Sequence, residues 1–128
     1  LPHIDEVKIL RKRAKAFLKT AETAYQDEEY DLTVYLCEQA IQLHLKSILL
    51  EELGDYPRTH SLTYLFQLLQ KIEELRNLYN IYKDNKQLVT FLEDAYIATR
   101  YLPREYSKEE AREALKLAQE VLKYRELP

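Results

Sequence analysis

Residues 30–54 read YDLTVYLCEQAIQLHLKSILLEELG, twenty-four residues without glycine or proline and then the chain's one glycine. That pattern predicts a long helix from Tyr30 to Leu53, stopped by Gly54 in the left-handed conformation, with Asp31 or a neighbour as its N-cap. Its apolar residues form two rows rather than one. Leu32, Leu36, Ala40, Leu43 and Leu50 make the first; Val34, Ile41, Leu45 and Ile48 make the second, roughly opposite. A helix that must bury two sides is either central in a bundle or shared with a second copy of the chain. Between the rows runs a polar stripe, Tyr35, Gln39, Gln42 and Lys46, whose groups need partners within the bundle or across a dimer.

The flanking segments are also helical. Val7, Leu10, Ala14, Phe17, Ala21 and Ala24 recur at gaps of three and four, which predicts a helix over Ile4–Tyr25. Ser61 or Thr59 is placed to cap a third helix through Leu62, Leu65, Phe66, Leu69 and Ile72. The segment RNLYNIYKDN reads equally as a short helical turn or a loose connection. A fourth helix carries Leu88, Leu92, Ala95, Thr99 and Leu102 and stops near Pro103. Ser107 with Glu110 forms a capping box for a fifth helix, whose inner residues are Ala111, Ala114, Leu115, Ala118, Val121 and Leu122. The expected architecture is all-α: one domain over residues 1–128, an antiparallel up-and-down bundle of four to five helices.

Composition narrows the chemistry. One glycine and four prolines among 128 residues favour helices over sheets. Charged residues make up 32% with a net charge of −3, so contact with nucleic acid requires a local patch. The lone Cys37 has no internal disulfide partner and reads as a buried thiol in a reducing cytoplasm. No apolar run reaches membrane-spanning length and no signal-peptide pattern opens the sequence, so the expected location is cytoplasmic, without membrane contact. The three histidines, His3, His44 and His60, fall in different elements without metal-ligand spacing, and one glycine cannot build a phosphate loop; neither a metal nor a cofactor is expected.

Four features remain as candidates. Lys8, Arg11, Lys12, Lys15 and Lys19 share a face of the first helix, either a solvated surface or a stripe tracking RNA or DNA phosphates. His44 reads as a core or interface residue. His60, two residues after Arg58, either packs the start of the third helix or binds an anion. The segment IATRYLPREYS, residues 97–107, ends a helix with Arg100 and turns through Arg104 to Tyr106. An arginine at a helix C-terminus is already favoured by the dipole, and Tyr96 one turn back can lie along its stem.

The helix EQAIQLHLKSILL, then THSL, then LEDAYIATRYLPREYSKEEA, in that order, resembles the HEPN domain in its stand-alone archaeal and bacterial form. The resemblance implies an all-α bundle, usually a homodimer, often paired with a minimal nucleotidyltransferase. Many such proteins are metal-independent ribonucleases of toxin–antitoxin or defence systems. Their motif is an arginine, four to six residues, then a histidine, with the pairs meeting at the dimer interface. Arg100 occupies the arginine's place, but YLPREYS follows it and the histidine is absent. Tyr106 is the remaining candidate acid, although a phenol titrating near ~10 is poorly matched to neutral pH.

The expectation is therefore a homodimeric, non-catalytic or weakly active binding protein, partnered by a minimal nucleotidyltransferase and by a nucleotide or RNA. Arg100, Arg104, Lys46 and Gln39 are its candidate contacts, with Lys8, Lys12, Lys15 and Lys19 as a second surface. An endoribonuclease with a diverged motif and a purely structural oligomer are the alternatives. In the homodimer, one row of the long helix would face the second copy, and Arg100 and Arg104 would face a cleft near that helix.

Overall fold

Alanines decide how closely the first two helices approach. In the computed structural model, which describes residues 3–126, α1 spans Ile4–Gln26 and α2 spans Tyr30–Leu53. Ala14, Ala21 and Ala24 of α1 are at most 5% exposed, and their small side chains bring its axis close to α2. The turn between them closes through backbone bonds, Glu28 N–H to the Tyr25 carbonyl and Glu29 N–H to that of Ala24, with Glu28 at φ 62°. Glu29 takes the N-cap position of α2 without a side-chain cap. The cap is the neighbour rather than Asp31 itself: Asp31 lies in the first turn, and its carboxylate accepts the Tyr106 backbone N–H at 2.7 Å.

Gly54 ends α2 at φ 83°, its N–H donating to the Leu50 carbonyl. After the loop, Ser61 caps α3 (Leu62–Leu68) by accepting the Tyr64 N–H. Two 3-10 turns, Leu69–Lys71 and Glu73–Leu75, bend the chain about an extended Ile72 that stays 5% exposed. The ambiguous RNLYNIYKDN is a true helix, α4 (Arg76–Asp84), anchored by buried Leu78 and by Tyr82 stacked on Phe66. Only Asn85 separates it from α5 (Lys86–Tyr101); its side-chain amide donates to the Ile81 carbonyl at 2.8 Å. Helix α5 stops at Leu102, which is extended because Pro103 excludes the helical region for the residue before it. Ser107 and Glu110 form the expected capping box of α6 (Lys108–Leu122). The all-α expectation holds, but with six α-helices among the described residues rather than four to five, and the third ends at Leu68 instead of running through Ile72.

Helix α2 is the axle, packed on by α1, α3, α5 and α6. This corrects the assembly argument drawn from its two rows. Val34, Ile41, Leu45 and Ile48 are all 0% exposed, and Leu36, Ala40 and Leu50 at most 7%, within a single chain. Neighbours within the chain cover the whole second row and the middle of the first, so neither is left as a continuous face for a second copy. Of the first row Leu43 is half-buried and Leu32 is 44% exposed; Leu102, assigned to the inner face of its helix, is 60% exposed. Arg11 is corrected in the other direction. It stands four residues after Val7 and three before Ala14, on the buried stripe, and is 8% exposed. Its guanidinium donates to Ser47 Oγ and to both carboxylate oxygens of Glu51, which Arg125 also grips.

Candidate functional site

The polar stripe of α2 has one more member, Glu38, a turn before Gln42. Glu38, Gln42 and Lys46 are spaced by four, so they lie along one line of the helix. Glu38 is 0% exposed. Its carboxylate accepts from Gln39 Nε2 at 2.7 Å and from Gln42 Nε2 at 2.8 Å. Burial nevertheless pushes its pKa up to about 7, against the two amides and Lys46, which favour the charged form. Burial also lowers the pKa of Lys46, opposed by Glu38 and reinforced by Arg58.

From Glu38 the network runs outward to the surface. Gln42 Oε1 accepts from Lys46 Nζ at 3.0 Å and lies 3.3 Å from His60 Nδ1. An amide oxygen can only accept, so the proton of that contact sits on His60 Nδ1 and a neutral ring keeps Nε2 bare. Nε2 faces the Tyr96 hydroxyl at 3.5 Å, and the two rings stack with centroids 4.6 Å apart. Tyr96 packs in turn on Tyr35. Arg100 Nη1 donates to the same Tyr96 hydroxyl at 2.9 Å, its guanidinium over that ring. Every hydrogen on this path points inward, from exposed Arg100 through Tyr96, His60 and Gln42 to buried Glu38.

The structure thus brings together the candidate contacts Arg100, Gln39 and Lys46 with Gln42 of the polar stripe, with His60, read as packing or anion-binding, and with two residues outside the sequence-derived site, Glu38 and Tyr96. The four-residue spacing from Glu38 to Lys46 was a usable signal for the first. No local signal links His60 to Arg100, because they lie forty residues apart. The other candidates have separate tasks. Arg104 stacks over Phe91 and Tyr106 and pairs with Glu110 at 3.5 Å, bracing the corner between α5 and α6. Tyr106 is 5% exposed and edge-on to Phe91; burial raises its pKa further, making it a weaker acid still. Lys8, Lys12, Lys15 and Lys19 are exposed on α1, which packs against α2 and α6 rather than beside Arg100. Cys37 is fully buried and its thiol is pushed up to about 12, mainly by burial, so it is unreactive. Among the described residues no cluster of three metal-ligating side chains occurs.

An all-helical bundle whose central helix carries a buried carboxylate wired to an exposed His–Arg pair is the class that fold and site define. The family model for the HEPN domain matches residues 7–127, and the chain belongs to that family. No curated protein and no solved structure matches it significantly. Among the described residues no helix is long and apolar enough to cross a membrane.

Proposed function

We propose that the chain binds a phosphate of a nucleotide or RNA at Arg100 and His60, acting as a cytoplasmic homodimer with a minimal nucleotidyltransferase as partner. One observation carries this reading: Arg100 and His60, from different elements, converge on the Tyr96 hydroxyl at the surface. Arg100 supplies a fixed charge suited to a phosphate oxygen, His60 donates to it once Nε2 takes up a proton, and Lys46, bonded to Gln42, adds a second cation. The exposed lysines of α1 offer a further strip along which a longer RNA could run. The test is binding of labelled RNA and of nucleotides at two salt concentrations. Affinity that falls steeply with salt and vanishes in Arg100→Ala supports the site. Binding unchanged by Arg100→Ala overturns it.

A second reading is favoured by His60 itself. The segment after Arg100 lacks a histidine, and His60 from the loop before α3 shares the Tyr96 hydroxyl with Arg100, which supports a substitute role for it. With Nδ1 tied to Gln42, its Nε2 can exchange a proton with a substrate oxygen, as metal-independent RNA cleavage requires. RNA cleavage that persists with chelator and disappears in His60→Asn would select this over simple binding.

The homodimer draws support from Ile97, Tyr101 and Leu102, which are 55%, 71% and 60% exposed beside Arg100. Three large apolar side chains left uncovered together at one helix end suit a partner surface. Light scattering should give a dimer that Ile97→Lys converts to a folded monomer. A toxin–antitoxin role requires the nucleotidyltransferase to co-purify with this chain and to suppress its effect on RNA.

A further inference from the structure

His44 stands two residues after Gln42 and so faces the opposite side of α2, toward α1 and α6. There a cavity of about 210 Å³ opens between Leu18 of α1 and Leu122 of α6. His44 lines it while only 2% exposed. Its Nε2 contacts the Tyr124 carbonyl, which can only accept, so Nε2 carries the proton. Nδ1 is then a bare acceptor, buried and without a partner among the described residues. Burial, helped by Arg11, holds His44 down at about 4, so the ring is neutral at ordinary pH.

The lining has a definite charge. Arg11, Lys15 and Lys123 contribute three cations and Glu126 one carboxylate. Arg11 is neutralised by Glu51, whereas neither lysine takes part in an ion pair among the described residues. The wall therefore offers apolar surface from Leu18 and Leu122 and a cationic rim, with the unpaired His44 nitrogen buried just behind it. Orphaned buried acceptors are uncommon because nothing repays the water such a group gives up.

We infer that this cavity binds a small organic anion with an apolar body and a hydroxyl group. The hydroxyl donates to His44 Nδ1, the body packs between the two leucines, and the anionic group meets Lys15 and Lys123. The volume lies below the usual span for drug-sized ligands and fits a single ring of roughly ten heavy atoms. The site is separate from the Arg100 pair and does not depend on the proposal for it.

Para-hydroxybenzoate, benzoate and para-hydroxybenzyl alcohol separate the contributions when titrated calorimetrically into the whole chain. The hydroxybenzoate should bind saturably, with benzoate and the alcohol each about ten-fold weaker. It should also shift the ¹⁵N signal of His44 Nδ1, which benzoate leaves in place. Lys15→Gln with Lys123→Gln, both at exposed positions, should weaken the hydroxybenzoate about ten-fold and leave the fold intact. Arg100→Ala should change nothing. The inference fails if no saturable binding occurs at millimolar probe, or if the three probes bind alike. It fails equally if Arg100→Ala abolishes binding while the lysine variant retains it.

Discussion

The two sides of α2 treat a buried titratable group in opposite ways. Toward α3 and α5, Glu38 is held by two amides and connected, bond by bond, to exposed Arg100. Toward α1 and α6, His44 has one carbonyl partner and an idle nitrogen. Burial drives both toward neutrality: the acid rises to about 7 and the base falls to about 4. Desolvation is common to both sides, so it does not distinguish a site. What differs is whether hydrogen bonds carry the buried group's state to the surface. On the Glu38 side they do.

The harshest way to break the comparison is to remove the axle itself. Ile48 is 0% exposed, so Ile48→Lys forces an unpaired charge into the core, with a loss of about 3–5 kcal/mol or more. Circular dichroism should show an unfolded chain, not a folded monomer released from a dimer. Next in size is Arg11→Ala, which removes the bonds to Ser47 and Glu51 that tie α1 to α2. A loss of about 2–3 kcal/mol in urea denaturation is expected, since Arg125 still holds Glu51. A loss under about 0.5 kcal/mol would show that Arg11 is peripheral to the packing.

The pH dependence of stability sharpens the contrast directly. Native Glu38 keeps its proton at pH values where the unfolded chain has lost it. Its contribution therefore declines as pH rises from the ordinary carboxylate range through about 7. Native His44 refuses a proton that the unfolded chain accepts, so its contribution grows as pH rises from about 4 through 6.5. Between about 4.5 and 6.5 the two slopes oppose each other. Glu38→Gln should leave His44's rise exposed, with a slope up to ~1.4 kcal/mol per pH unit steeper than the parent's. Parallel curves for parent and variant in that window would show that Glu38 does not stay protonated.

Arg100→Ala should have the smallest effect on stability and the largest on binding. The side chain is exposed and bonded only to Tyr96, so the melting temperature should stay within a few degrees. Labelled RNA should lose its affinity. If melting falls sharply instead, the arginine belongs to the packing of the helix end.

Much of the bundle was legible because helical packing is written at spacings of three and four. The extent of α2, the Gly54 stop and the Ser107–Glu110 capping box follow from local residues alone. Local rules failed where a distant partner competed for the same group. Asp31 was available to cap α2, but the Tyr106 N–H, seventy-five residues away, takes its carboxylate. Arg11 looked like a surface cation by its chemistry, while its position marked it as buried.

By itself the sequence determined most of the helices but not α4, the two-sided central helix and an arginine at the end of α5. Bonds within a helix reach only about one turn, so the residues that settle them are near neighbours in the chain. Tertiary structure alone decided that one chain covers both sides of α2 and that His60 stands beside Arg100. Those outcomes depend on how the 55–61 loop and α5 fold back over α2. Contacts across such separations are fixed by collective packing, which helical periodicity does not encode.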